Sequence, residues 1–80
     1  MLIVEVAESS YQFDRDQKAS LYARAGVPEY WIVDCSAESI EVYSRPDAGA
    51  YRDVNRLAGA ASVSPLALPD VALALAEIFA

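Results

Sequence analysis

Two short apolar runs, Leu2–Ala7 (LIVEVA) and Glu29–Asp34 (EYWIVD), flank one polar, alanine-containing segment, and this order constrains the fold more than any other feature of the chain. Short runs rich in β-branched and aromatic residues read as strands. Glu8-Ser9-Ser10 interrupts the first. Asp14 is then a candidate N-cap, with Gln17 three residues later, so a helix is expected over 15–25. Gly26 suits the position just past its last turn, and Pro28 forbids continuation. Strand, helix, strand in this compass is a βαβ unit with parallel strands. Residues 39–45 alternate as a third strand, Pro46-Asp47-Ala48-Gly49 is a turn, and Tyr51–Leu57 returns as a fourth. Val71–Leu75 fits a strand or a short helix equally well. The expected class is α/β, a βαβ unit plus an antiparallel hairpin forming one mixed sheet in a single domain over 1–80.

Composition narrows the chemistry. There is no histidine, which removes His-ligated metals and His general bases. Cys35 is the one cysteine, so an intrachain disulfide and a Cys-rich zinc site are also excluded. A lone cysteine fits a reducing cytosol, and a cytoplasmic location is expected. Any metal must be a hard cation held by oxygens. The net charge of −6 opposes nonspecific binding to phosphate backbones. A hydrophobic content of 55% is high for 80 residues and points to a partner subunit, or further sequence, covering apolar surface. No apolar run approaches the roughly 20 residues that span a bilayer, so no membrane association is expected.

Two charges stand where apolar side chains would be natural. Alternation along the first strand puts Leu2, Val4 and Val6 on one face and Ile3, Glu5 and Ala7 on the other. Glu5 then lies between apolar neighbours on a strand read as covered on both sides, where a carboxylate needs a partner, a proton or a metal. The plain alternative is that Glu5 faces solvent on an edge. On a helical wheel Asp14, Lys18, Leu21, Tyr22 and Ala25 share the arc expected to face the sheet, opposite Asp16, Ala19, Ser20 and Ala23. Lys18 in mid-stripe can lay its stem on apolar surface and reach Glu5; its plain alternative is a surface pair with Asp14. A carboxylate for Mg²⁺ beside a lysine for developing charge suits phosphodiester hydrolysis. Mg²⁺ calls for a second acid, for which Asp14 is the candidate beside its reading as an N-cap.

The succession VEVAESS, DRDQK, LYARAGVPEYWIVD, an EVY strand, a YR strand and a Leu-Pro-Asp tail ending in Glu-Ile-Phe resembles the Uma-type restriction endonuclease family of the PD-(D/E)XK nuclease superfamily. Its most specific piece is Tyr22 to Asp34, around Gly26-Val27-Pro28-Glu29-Tyr30-Trp31. The resemblance implies part of a restriction-endonuclease-like core and a Mg²⁺-dependent endonuclease function. It makes Glu5 the acid of the (D/E)XK element. Ala7 stands where that element often has lysine, and the lysine maps onto Lys18 in the following helix. Val6 would offer its main-chain carbonyl to the metal. Asp14 and Tyr22 match recurrent family positions without an assigned role. The family's first acid precedes VEV, so the expectation is a truncated core without the N-terminal helix and first strands, and a site that needs an acid from another chain.

The expected partners are a second copy of the chain, as a homodimer, and nucleic acid. The alternative function is a non-catalytic dimerisation or partner-binding remnant of the nuclease fold. Tyr30 and Trp31 are expected as core or interface anchors, Asp34 as the start of a turn towards Ser36, and Cys35 as a small, partly buried hydrophobe. Arg45, Arg52 and Arg56 are expected to be solvated strand residues.

Overall fold

The computed structural model describes residues 1–7 and 12–79, with side chains at 1–6 and 16–79. The elements in chain order are β1 (Leu2–Ala7), α1 (Gln12–Arg24), β2 (Glu29–Asp34), β3 (Ser39–Asp47), β4 (Ala50–Ala58), β5 (Ser62–Val63), β6 (Leu73–Ala74) and α2 (Leu75–Ile78). The first four strands form one mixed sheet in the order β1-β2-β3-β4. β1 runs parallel to β2, whereas β2, β3 and β4 are successively antiparallel.

Both faces of this sheet carry apolar side chains, and each is covered by a different part of the chain. On one face Tyr30, Ile32 and Tyr43 pack with Ile3 from β1, Ala19 and Tyr22 from α1, and Tyr51 from β4. On the other, Trp31 and Ile40 pack with Val63 and Leu75 from the tail. The tail holds itself in place through the β5–β6 pairing, and Glu29 accepts the Leu66 main-chain N–H at 2.9 Å. Val71–Leu75, equally consistent with strand or helix, divides into both, with β6 at Leu73–Ala74 and α2 from Leu75. The short β5 carried no sequence signal, since two residues are too few for a periodicity.

Several expectations need correcting. β1 is an edge strand among the described residues and is not covered on both sides: Val4 and Val6 are 48% and 68% exposed. The aliphatic run reflects one packed face and one open one. The helix α1 starts three residues before the expected 15 and ends at Arg24, so Asp14 lies within its first turn and is not the N-cap. The Asp14 side chain lies outside the described residues. The sheet-facing stripe of α1 is rotated from the expected one. Ala23 is buried and Ala19 and Tyr22 pack on the core, while Leu21 is 55% exposed. Lys18 therefore borders the stripe and does not centre it. Cys35 is exposed in the turn after β2 because Asp34 takes the buried position and accepts the Ala37 N–H at 3.1 Å. The β3–β4 hairpin is tighter than its proline suggests: Pro46 pairs with Tyr51 inside the ladder, and Ala48 and Gly49 alone make the turn. Their φ values, 53° and 81°, are those of a type I′ turn, whose twist matches the strands.

The end of α1 follows the sequence signal. Gly26 has φ 77°, its N–H bonds the Ala23 carbonyl at 3.0 Å, and the Val27 N–H bonds that of Tyr22 at 3.0 Å. These two bonds form a Schellman cap, which turns the chain from α1 towards β2. A Cβ at Gly26 would meet nothing within 4 Å, so a substitution there costs only the left-handed backbone. Gly26→Ala is expected to lower unfolding free energy by about 1 kcal/mol in urea denaturation, with an unchanged m-value.

Candidate functional site

The register of the βαβ unit determines what surrounds Glu5. β1 and β2 pair with Ile3 opposite Tyr30 and Glu5 opposite Ile32. Tyr30 therefore lies on the same face as Glu5 and diagonally across from it, within reach of a long side chain. On α1, Lys18 and Tyr22 are four residues apart and project towards the same place.

The Glu5 carboxylate is where these side chains meet. Tyr22 donates its hydroxyl to Oε1 at 2.9 Å, and Tyr30 donates to Oε2 at 3.2 Å. The Lys18 ammonium lies 3.2 Å from Oε2. Two elements distant in sequence thus converge on one half-buried carboxylate, which is neither free in solvent nor sealed in the core. Partial exposure of both charges keeps the ion pair modest, about 0.2–1 kcal/mol. Tyr30 is the rigid part. Its ring is 1% exposed and sits between Tyr22, at 4.9 Å between centroids, and Tyr43, at 5.4 Å. Tyr43 meets Tyr51 at 5.8 Å, and the Tyr51 hydroxyl bonds the Val27 carbonyl, which anchors the hairpin to the loop after α1.

Electrostatics follow from this geometry. Burial pushes the Glu5 pKa up, but hydrogen bonds from Tyr22, Lys18 and Tyr30 and the charge of Lys18 together outweigh it, leaving the value below that of a free glutamate. The Tyr22 hydroxyl is raised, first because it donates to Glu5. The Tyr30 hydroxyl is raised well above the usual tyrosine range by burial and then by the Glu5 charge. Both phenols therefore stay protonated and act as donors throughout the physiological range.

Of the residues singled out in the sequence, Glu5, Lys18 and Tyr22 come together. Val6 is the next residue along the edge strand, with its side chain on the opposite, open face. Tyr30, expected as a core or interface anchor, also joins the site, and alternation in β2 with in-register parallel pairing is the signal that puts it beside Glu5. Arg52 pairs with Asp47 at 2.9 Å and Arg45 with Asp53 at 3.3 Å, both on the exposed hairpin. The cavity of about 230 Å³ between α1 and the hairpin, lined by Ala19, Ser20, Tyr43 and Tyr51, takes in neither Glu5 nor Lys18. Among the described residues no group of three acidic or other ligating side chains could enclose a metal. Mg²⁺ commonly keeps several waters and uses one or two carboxylates together with substrate phosphates. Glu5 therefore fits one corner of such a site.

The family model Uma2, described as "Putative restriction endonuclease", matches residues 1–76. The chain belongs to this family. A crystal structure of a "putative nuclease belonging to DUF820" from Anabaena variabilis ATCC 29413 superposes with a TM-score of 0.77 at 17% identity. The match covers 98% of this chain and 42% of that one, so this chain spans less than half the length of that protein. At this identity the likeness establishes a shared fold, and the mixed sheet with its crossover helix is nuclease-like, in keeping with the Uma2 assignment. No curated protein matches the chain significantly. No helix among the described residues is long and apolar enough to cross a membrane.

A lowered folded-state pKa means that the Glu5 contacts stabilise the protein above the unfolded glutamate value and that this contribution is lost as pH falls through the folded value. Titration of the Glu5 side chain by NMR should give a midpoint below the 4.5 of a free glutamate. Tyr22→Phe should move that midpoint upward, and an unmoved midpoint would contradict the assigned hydrogen bond.

Proposed function

We propose that these residues carry the carboxylate–lysine element of a magnesium-dependent endonuclease acting on phosphodiester bonds. The observation that carries the reading is the convergence of Glu5 and Lys18 at 3.2 Å on the strand and following helix of a Uma2 family member. Glu5 is the metal ligand, with the Val6 main-chain carbonyl beside it on β1. A bound Mg²⁺ supplies an activated water and neutralises phosphate charge. Lys18 places a positive charge next to the carboxylate, where it stabilises charge developing on the phosphate or supports the nucleophile. Tyr22 and Tyr30 orient the carboxylate as neutral donors. One carboxylate does not complete the site, which calls for a second acid, and Asp14 is the candidate in this sequence. The nucleic-acid contact is then local to this edge, because the overall charge of −6 repels phosphate elsewhere.

A second reading has its own observation. β1 presents an unpaired edge among the described residues, with Val4 and Val6 exposed beside it. Such an edge takes up another strand readily, which favours a homodimer or a partner-binding role. Sedimentation velocity separates the cases. A dimer that Val6→Lys converts to monomer supports pairing through β1, and a monomer at micromolar concentration contradicts it.

The metal reading is tested by thermal melting in a magnesium titration. At tenfold excess over the dissociation constant, ligand linkage stabilises the folded state by about 1.4 kcal/mol, or roughly 5–10 °C for a domain of this size. Glu5→Gln is expected to remove that rise and to abolish cleavage of a plasmid substrate. A rise that survives Glu5→Gln would place the metal elsewhere.

A further inference from the structure

The ligand count at Glu5 leads one step beyond this reading, and rests on it. A carboxylate offers about four lone-pair positions on its two oxygens. Oε2 already receives both the Lys18 ammonium and the Tyr30 hydroxyl, each at 3.2 Å, and Oε1 receives Tyr22 at 2.9 Å. Among the described residues, three of about four positions are thus in use. The three donors are not equally replaceable. Tyr30 is 1% exposed and wedged between two aromatic rings, and Tyr22 packs edge-on against it. Moving either phenol disrupts the core. The Lys18 side chain is 44% exposed on a flexible four-carbon stem at the border of the helix stripe. Its flexible stem lets it leave the carboxylate without disturbing the packed rings. A second cation on the same carboxylate would also sit within a few ångströms of the ammonium, and like charges that close repel.

We propose that Lys18 is a resident counter-ion that holds the cation-binding position of Glu5, so that the ammonium and a divalent cation are alternatives at one carboxylate whose orientation the two tyrosines maintain. The pairing seen here is then the resting arrangement of the edge. It keeps the half-buried carboxylate neutralised and turned towards α1. Displaced from Glu5, the ammonium can turn to a phosphate at the same edge. One residue thereby serves first the carboxylate and then the substrate.

The test is a Mg²⁺ titration of the full chain, followed by thermal melting, for the wild type, Lys18→Met and Glu5→Gln. Methionine keeps an unbranched stem of similar length and removes the charge. Lys18→Met is expected to bind Mg²⁺ about 1.4- to fivefold more tightly, the range that a partly exposed ion pair spans, while cleavage activity falls. In the wild type, the Lys18 side-chain ¹³Cε resonance should shift with Mg²⁺ and reach half its change at the concentration found by melting. This second measurement requires no variant to fold. Unchanged or weaker binding by Lys18→Met, or a ¹³Cε resonance that stays fixed while Mg²⁺ binds, overturns the counter-ion role. If Glu5→Gln abolishes binding in that case, the metal reading stands alone. If neither the wild type nor Lys18→Met shows stabilisation that depends on Glu5, both the metal reading and the counter-ion role fall.

Discussion

The in-register parallel pairing of β1 with β2 is the constraint on which the site depends. With Ile3 opposite Tyr30 and Glu5 opposite Ile32, the phenol of a core tyrosine lies diagonally beside the carboxylate of the edge strand. A shift of one residue would turn Glu5 to the opposite face, towards the tail residues, and Leu2 and Val4 towards the tyrosines. The Schellman cap at Gly26 supports the same arrangement from the other end. It ends α1 where Val27 can enter the loop to β2, and Lys18 and Tyr22, one helical turn apart on α1, both reach Glu5.

Around this constraint the protein resolves a conflict between burial and charge. An isolated carboxylate against an apolar sheet is costly, and removing it from water raises its pKa. Here three donors reverse that effect. Two are neutral phenols, which satisfy oxygen lone pairs without adding charge. Their rings contribute to the core, so the hydrogen bonds and the packing reinforce one another. The cation comes from the most mobile of the three side chains. The carboxylate is therefore held in orientation by rigid groups and neutralised by a flexible one. The opposite face of the sheet takes no part in this. There Trp31, Ile40, Val63 and Leu75 form an apolar layer closed by the tail.

Much of the fold was legible because local signals agreed with it. β2 has the expected bounds, β1 and β2 are parallel, Gly26 caps α1, and a hairpin joins the third and fourth strands, its turn narrowed to Ala48 and Gly49. The misreadings have identifiable physical origins. Alternation cannot tell a strand covered on both sides from an edge strand with apolar residues on its open face, so Val4 and Val6 were placed inside. The wheel of α1 was centred on Lys18 because Leu21 and Tyr22 weighted that side, yet small Ala19 and Ala23 are what allow the helix to approach the sheet. Glu5 and Lys18 stood out as charges amid apolar residues. Tyr30 did not, since a tyrosine in an aromatic strand looks like core until strand register places its hydroxyl.

The central claim is that the Glu5 carboxylate, oriented by Tyr22 and Tyr30, is the point at which this edge binds a cation. Anomalous diffraction from a crystal soaked in Mn²⁺ examines it most directly. The account predicts an anomalous peak in contact with a Glu5 oxygen, both tyrosine hydroxyls unmoved, and the Lys18 ammonium withdrawn from Oε2. A peak on other side chains, with Lys18 still seated on Glu5, would contradict it.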